Sequence, residues 1–376
     1  MSLLLSVLLL AVALLAAWLI LKSRNMDIWI VSYIAQLPKR FGARTRTPRH
    51  VYFAFCDHFE PYWHGASDEV ARARVARWLE QYPVVAGRHH DSDGRPPQHT
   101  FFYPEEEYDE SILDGLSALC RAGFGDVEVH LHHDADTAEH LATTLQHYTQ
   151  LLHSRHGLLR KDPSTDRILF AFIHGNWALD NSHPEGRWCG IDNELSVLVE
   201  NGCRVDMTMP SAPGATQTRK INSIYFATGT PGQRKSHNEG RDATAGAWSS
   251  ARELLLVQGP LALNWKDRKL GIVPRIESSE ISADCPPTAA RVALWERAAI
   301  SVKGAEEHIF IKVHTHGAEE RTAGSLLNGD LELLWRSLEE RLLGRPDCHL
   351  HYVTAWEMYE KIRELCQRPA VQERLK

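Results

Sequence analysis

The sequence predicts an α/β protein: a parallel sheet closed into a β/α barrel, preceded by a transmembrane helix. Three observations support this fold class. Apolar runs of strand length alternate with amphipathic helical segments from about residue 49 onward. Polar residues, histidine above all, directly follow four of these runs, which is where the active-site residues of a β/α barrel lie. The first 21 residues contain no charged side chain.

The uncharged N-terminal stretch predicts a membrane anchor over residues 1–21. At 1.5 Å per residue it matches the roughly 30 Å hydrocarbon core of a bilayer. A cleaved signal peptide would carry a basic segment ahead of its apolar region, and here the first basic residue is Lys22. The basic residues cluster after the stretch, at Lys22, Arg24, Lys39, Arg40, Arg44, Arg46 and Arg49. The positive-inside rule therefore places the large C-terminal part on the cytoplasmic face.

The basic juxtamembrane segment, residues 22–48, contains a short apolar stretch at 28–37. It either lies in the membrane interface or packs on the following domain, and the sequence leaves both possibilities open. That domain is predicted over residues 49–366, followed by a tail at 367–376. Predicted strands lie at 51–56, 99–103, 126–132, 167–173, 204–209, 308–313 and 350–354. Predicted helices lie at 72–82, 111–122, 137–153, 193–200, 331–343 and 356–366. The pattern is weaker at 214–296, which indicates long loops or an insertion.

Composition narrows the function classes. Lys and Arg total 42 against 48 Asp and Glu, so the net charge of −6 argues against a nucleic-acid partner. A hydrophobic content of 43% excludes a disordered chain. The seven cysteines are widely spaced and form no C-x-x-C pair, which indicates reduced thiols rather than a disulfide framework or a cysteine-based zinc site.

The first polar cluster, Asp57, His58 and Glu60, follows the first predicted strand. An aspartate here can ligate a metal or accept a proton, and a histidine can do either. The second cluster lies at residues 128–136. Alternate residues of a strand share a face, so Glu128, His130 and His132 are expected to point together. A His-x-His pair at strand spacing is typical of a divalent-metal site, with Asp134 or Asp136 adding a carboxylate.

The third cluster, His174, Asn176, Trp177 and Asp180, offers hydrogen bonds and one flat apolar ring, as a sugar-binding loop would. A plain surface loop is the alternative interpretation. The fourth cluster, His314 and His316, supplies a candidate general acid whose ordinary pKa lies near working pH. Together the four clusters predict a metal-activated hydrolytic site.

In their order along the chain, these motifs resemble the polysaccharide deacetylase (NodB-homology) superfamily. Residues 54–58 stand where that family has an Asp-Asp pair. The segment 99–134 is similar to its second strand, helix and metal-binding third strand. His314 to Gly317 stand at its leaving-group histidine. The resemblance implies a deformed β/α barrel, one divalent metal ion such as zinc, and removal of an N-acetyl group from an amino sugar of a surface or lipid-linked polysaccharide.

Two departures from the family leave alternatives open. Either Asp57 is the metal-binding acid and Cys56 occupies the base position, or Asp57 is the base and His58 a ligand. The family's His-x-x-x-His motif matches His130 with Asp134, or His132 with Asp136. A catalytically silent carbohydrate-binding or scaffold module of a membrane biosynthetic complex is therefore the second hypothesis. The predicted site comprises catalytic His58, His314 and His316; metal-binding Asp57, His130, His132 and Asp134; and substrate-binding Glu60, His174, Asn176, Trp177 and Asp180.

Overall fold

The computed structural model describes residues 2–38, 48–248 and 252–368, and it confirms a mixed α/β fold. The helices are α1 (Ser2–Ser23), α2 (Ile30–Ala35), α3 (Asp68–Ala86), α4 (Glu110–Arg121), α5 (Ala138–His156), α6 (Glu194–Glu200), α7 (Ala289–Arg297), α8 (Glu320–Ser325), α9 (Leu331–Leu342) and α10 (Ala355–Gln367). The strands are β1 (Arg49–His58), β2 (His99–Pro104), β3 (Gly125–Leu131), β4 (Arg160–Lys161), β5 (Ile168–His174), β6 (Cys203–Asp206), β7 (Ile224–Ala227), β8 (Arg241–Asp242), β9 (Leu254–Val257), β10 (Ala262–Lys269), β11 (Val273–Glu277), β12 (His308–Thr315) and β13 (Cys348–Tyr352).

The main sheet is largely parallel, as the continuous apolar strands predict. Its parallel strands run in the order β12-β1-β2-β3-β5-β6-β9, and β7 and β8 extend it in antiparallel fashion. One edge of β1 pairs with β12 along almost its whole length. Its other edge is shared, with β13 on the first half and β2 on the second. The carboxyl ends of β1, β2, β3, β5 and β12 therefore meet along one edge of the sheet.

The predicted closure into a barrel is not confirmed. Within the residues that the structure describes, no strand ladder joins β9 to β12. The outer edge of β12 instead bonds an irregular segment: His314 N donates to Ser279 O at 3.0 Å, and Ile281 N donates to His314 O at 2.8 Å. That segment lies in the region 214–296, which also supplies β7 to β11. These strands escaped the sequence pattern because most are only two to five residues long.

Both faces of the sheet are covered, and the alternation of side chains assigns each strand residue to one of them. On the outer face, Phe53 and Phe55 of β1 pack with Trp335 of α9. On the inner face, Ala54 and Cys56 belong to a core formed with the C-terminal helix α10. We call the side of the sheet with Ala54 and Cys56 the inner face and the side with Phe53 and Phe55 the outer face. Neighbouring residues at a strand end turn to opposite faces.

At the N-terminus, the stretch Leu5–Ser23 of α1 is long and apolar enough to cross a membrane, and most of its described side chains are exposed. The following segment packs on the domain, with Trp29 and Tyr33 buried against Leu261 and neighbouring apolar residues. This settles the alternative for residues 28–37 in favour of packing, although Val31 remains 75% exposed. The predicted basic residues at 39, 40, 44 and 46 and most of the tail lie outside the described residues. The seven cysteines are free thiols, as predicted.

Candidate metal centre

Histidines from three strand ends and one carboxylate converge on the inner face. His58 ends β1, His130 lies near the end of β3, and His316 follows β12. The imidazole centroids of His58 lie 5.0 Å from His130 and 4.9 Å from His316. The fold positions them because parallel strands end at the same edge, and because even-numbered residues of β1, β3 and β12 share the inner face.

Glu60 lies at the centre of this group. Its Oε1 is 3.0 Å from His130 Nε2 and 3.5 Å from His132 Nε2. Ligand atoms of Glu60, His130 and His132 all lie within 4.8 Å of one another, and the same holds for His58, Glu60 and His316. The two groups share Glu60, and we call their five residues the Glu60 cluster. Such donors suit a divalent cation.

The hydrogen bonds behind these imidazoles point their free nitrogens at Glu60. His130 Nδ1 donates to the Ile173 carbonyl oxygen at 2.9 Å, which leaves Nε2 of the neutral ring as a lone-pair donor. His132 Nδ1 contacts Glu106 Oε1 at 2.5 Å, so its Nε2 also faces the cluster. A carbonyl or carboxylate behind each imidazole is the usual support of a metal-binding histidine.

Burial keeps two of the imidazoles neutral, which is the form that binds a metal. It lowers the pKa of His130 to about 3. It also lowers the pKa of His58 far below its ordinary value, an effect that nearby His316 and His130 reinforce. Burial works the other way on a carboxyl group and raises the pKa of Glu60. His58 Nε2 is buried and has no hydrogen-bond partner among the described residues.

His132 differs because carboxylates surround it. Burial lowers its pKa, but the hydrogen bond to Glu106 and the nearby charge of Glu60 outweigh burial, and the net pKa is raised. A neutral His130 Nε2 facing a carboxylate oxygen at 3.0 Å places two lone pairs together, and only a proton or a cation between them relieves the repulsion. The 3.0 Å contact therefore suits either a proton shared as a hydrogen bond or a bound cation.

Two tryptophans border the cluster. The Trp177 ring centroid lies 5.1 Å from His58 and 5.5 Å from His316, and the Trp63 centroid lies 5.4 Å from His316. Both indoles are partly exposed. Trp177 and its exposed neighbour Asn176 have positive φ values of 55°, so the turn after β5 holds the indole over the cluster. These rings provide the flat apolar surface that the sequence predicts at Trp177.

The structure does not bring Asp57 to the cluster, which corrects its prediction as a ligand. Asp57 is fully buried on the outer face, because its neighbours Cys56 and His58 occupy the inner face. Its Oδ2 accepts a hydrogen bond from His99 Nε2 at 2.9 Å, and its Oδ1 accepts one from Gly317 N at 2.6 Å. Asp57 thus ties the end of β1 to β2 and to the turn after β12.

Asp134 is also outside the cluster. It is exposed, and its Oδ1 accepts hydrogen bonds from Trp188 N and Ala135 N within the loop after β3. Thr137 caps α5, since its side chain accepts a hydrogen bond from His140 N. His314 lies on the inner face behind Trp177, and burial lowers its pKa far below the ordinary value. A neutral imidazole lacks the spare proton of the predicted general acid.

Two residues predicted to bind substrate are buried elsewhere. His174 is fully buried on the outer face, where its Nε2 lies 3.5 Å from Glu194 Oε1. Asp180 is also buried, and its Oδ2 accepts a hydrogen bond from Ser236 N at 2.7 Å. Glu60, predicted to bind substrate, instead lies among the candidate ligands. The sequence analysis missed Glu106, although it follows β2 as the other clusters follow their strands.

Comparisons with known proteins give little further information. No protein-family model and no curated protein matches the chain. Among solved structures, the chain is similar to a 4-alpha-glucanotransferase from Thermococcus litoralis, with 10% sequence identity and a TM-score of 0.41. The match covers 84% of this chain but only 40% of that structure. At this TM-score the likeness decides neither activity nor substrate.

Proposed function

We propose that this protein is a membrane-anchored, metal-dependent hydrolase that removes an N-acetyl group from an amino sugar of a surface or lipid-linked polysaccharide. The observation that carries the metal dependence is Glu60 Oε1, which faces the Nε2 atoms of His130 and His132. The deacetylation itself rests on the resemblance of the motifs and their order. The structure supports it by bringing three of the four motifs to one inner-face cluster.

We assign the metal ligands to Glu60, His130 and His132, whose ligand atoms lie within 4.8 Å of one another, which leaves the fourth position of a catalytic site for water. A nitrogen and carboxylate set of this kind favours zinc. A bound divalent ion would lower the pKa of water towards neutrality and polarise the amide carbonyl of the substrate. Burial keeps the His130 imidazole neutral, and the hydrogen bonds to Ile173 and Glu106 hold the orientation of His130 and His132.

His316 is the proton-transfer residue in this proposal. It is more exposed than His58, and it lies between Trp63 and Trp177, where a sugar ring would stack. An imidazole at that rim can pass a proton to the departing amine. His314 is buried deeper and neutral, so it supports the cluster without delivering a proton.

The anchor in the proposal is α1, whose apolar stretch is followed by basic residues. By the positive-inside rule the domain then faces the cytoplasm, where lipid-linked sugar intermediates are available to a membrane-bound enzyme. The packing of Trp29 and Tyr33 on the domain limits how far the cluster can move from the bilayer.

Acetate release tests the proposal. The full chain in detergent should release acetate from N-acetylated oligosaccharides, a chelator should abolish release, and added zinc should restore it. His130→Ala should lose the zinc bound at the Glu60 cluster together with activity, whereas His316→Ala should keep that zinc and lose turnover. His147→Ala is the matched control, because His147 is exposed on α5. If the chain binds no metal at His130, the hydrolase proposal is wrong.

The second candidate is a catalytically silent carbohydrate-binding module, and one observation favours it. Both carboxylate oxygens of Asp57, the residue at the family's acid position, are engaged in structural hydrogen bonds. This candidate predicts saccharide binding, measured by calorimetry, that survives removal of the metal and is accompanied by no acetate. Reducing sugar without acetate would instead indicate a glycoside hydrolase.

A further inference from the structure

A second group of metal-type donors lies on the outer face, outside the Glu60 cluster. It comprises His133 after β3, His174 at the end of β5, Cys189 in the following loop and Glu194 in the first turn of α6. One ligand atom from each lies within 4.8 Å of all the others. Cys189, His174 and Glu194 are completely buried. His132 and His133 are adjacent in sequence but belong to different groups, since His132 lies near Glu60 and His133 near Glu194.

The Glu194 carboxylate lies close to the other three donors. Glu194 Oε1 lies 3.1 Å from His133 Nε2 and 3.5 Å from His174 Nε2, and Glu194 Oε2 lies 3.4 Å from Cys189 Sγ. Zinc bonds of about 2.0 to 2.3 Å in tetrahedral geometry hold ligand atoms about 3.3 to 3.8 Å apart. The distances from the Glu194 carboxylate to the other three side chains are therefore close to the distances between two ligands of one zinc ion.

Two further features concern the donor atoms that a cation would contact here. His174 Nε2 is buried and without a hydrogen-bond partner among the described residues, although it faces the Glu194 carboxylate. His174 Nδ1 donates to the Gly175 carbonyl oxygen, so Nε2 carries a lone pair. Cys189 Sγ accepts backbone N–H bonds from Asn181 at 3.3 Å and Ile191 at 3.5 Å. Burial and the nearby Glu194 carboxylate raise the pKa of the Cys189 thiol, so the sulfur keeps its proton until an ion displaces it.

We propose that His133, His174, Cys189 and Glu194 bind a second divalent ion, zinc by the chemistry of the donors, in a structural role. All four tetrahedral positions are filled by side chains, as in structural rather than catalytic zinc sites. Binding displaces the thiol proton of Cys189 to solvent and makes no other covalent change. The ion would fix the loop between β5 and α6, which carries Trp177, to the ends of β3 and β5.

An entry path reaches the site from the surface. A cleft of about 190 Å³ between the end of β3 and α5 is lined by both His132 and His133, with Glu106 and Asp136 at its sides. Asp136 Oδ2 lies 3.3 Å from His133 Nδ1 and would orient that imidazole behind the ion. The proposal does not depend on the hydrolase activity, since it uses none of the residues of the Glu60 cluster.

Cobalt substitution tests the site, because only this group contains a thiolate. The full chain in detergent, loaded with Co²⁺, should show a sulfur-to-cobalt charge-transfer band. The zinc-loaded chain should bind two equivalents by elemental analysis. Cys189→Ser should lose the band and one equivalent of zinc. Cys120→Ser, at a partly buried cysteine outside both groups, should keep both. His58→Ala should keep the band.

A conservative variant guards against simple misfolding. Cys189→Asp should retain two zinc equivalents and lose only the charge-transfer band, because a carboxylate can replace the thiolate as a ligand. If the wild-type chain shows no band, or if Cys189→Ser leaves the zinc content unchanged, the proposal is wrong. The residues would then form only the hydrogen-bonded network that joins His133, Glu194 and Asp180.

Discussion

The variant Asp57→Ala tests whether Asp57 is a structural carboxylate or a metal ligand. In the folded chain, Asp57 accepts hydrogen bonds from His99 Nε2 and Gly317 N, and all three groups are buried. Removing the carboxylate leaves two buried donors without an acceptor. Each costs about 1 to 3 kcal/mol, so the free energy of unfolding should fall by about 2 to 6 kcal/mol. At roughly 2 °C per kcal/mol for a domain of this size, Tm falls by about 4 to 12 °C.

The assay pairs thermal unfolding with the zinc content of the folded fraction. Asp57→Ala should lower Tm by this amount and leave the zinc content unchanged, because Asp57 lies on the outer face away from the Glu60 cluster. Asp57→Asn should cost about half as much, since its amide oxygen can still accept from Gly317 N. Asp134→Ala is the control: that residue is exposed, and its backbone partners can turn to water, so its cost should stay near 0.5 kcal/mol.

One result would refute the reasoning about Asp57. If Asp57→Ala lost a metal equivalent and Tm fell only when zinc was present, then Asp57 would be a ligand and the face assignment at the end of β1 would fail. The geometry around Gly317 argues against that outcome. A Cβ atom at Gly317 would lie 2.1 Å from Asp57 Oδ2 and 3.0 Å from Trp78. The carboxylate is therefore packed tightly against this turn.

Three further outcomes are expected. Burial lowers the pKa of Lys312 from 10.5 to about 8, so between these values the unfolded chain binds the proton and the folded chain does not. Urea unfolding across pH 7 to 11 should therefore show wild-type stability rising relative to Lys312→Met, and a constant difference would contradict this. Trp177→Ala should raise KM for saccharides while zinc content stays constant; an unchanged KM would exclude stacking there. Deleting residues 2–23 should move the protein from the membrane to the soluble fraction, and continued sedimentation with membranes would show another attachment.

The strand-end rule predicted which histidines the structure brings together. His58, His130, His132 and His316 were predicted from two facts alone: polar residues follow apolar strands, and alternate residues share a face. Both facts are local in sequence, and most observed strand boundaries fall within two residues of the predicted ones. The parallel order of the sheet follows from the same alternation of strands and helices.

The sequence did not predict which face of the sheet each residue occupies, nor which residues far apart in sequence lie together. Asp57 and His58 were both assigned to the site, yet adjacent strand residues point to opposite faces, so only one of them can belong to it. The sequence pattern could not show that Glu194 lies near His133, since 61 residues separate them and only the tertiary packing of α6 joins them. The same holds for His99, which meets Asp57 across 42 residues.

Face assignment also explains how one sheet edge can present two kinds of metal-type site. The inner group opens towards Trp63 and Trp177, and its supporting hydrogen bonds come from strand ends that the core holds in place. The outer group is covered by α6 and by the loop between β5 and α6. The same loop also carries Trp177. An ion in the outer group would stiffen that loop without touching the substrate. Removal of this ion should therefore weaken saccharide binding before the metal of the inner group is lost. Separate titration of the two zinc equivalents, read by saccharide affinity and acetate release, would show whether the loop transmits this effect.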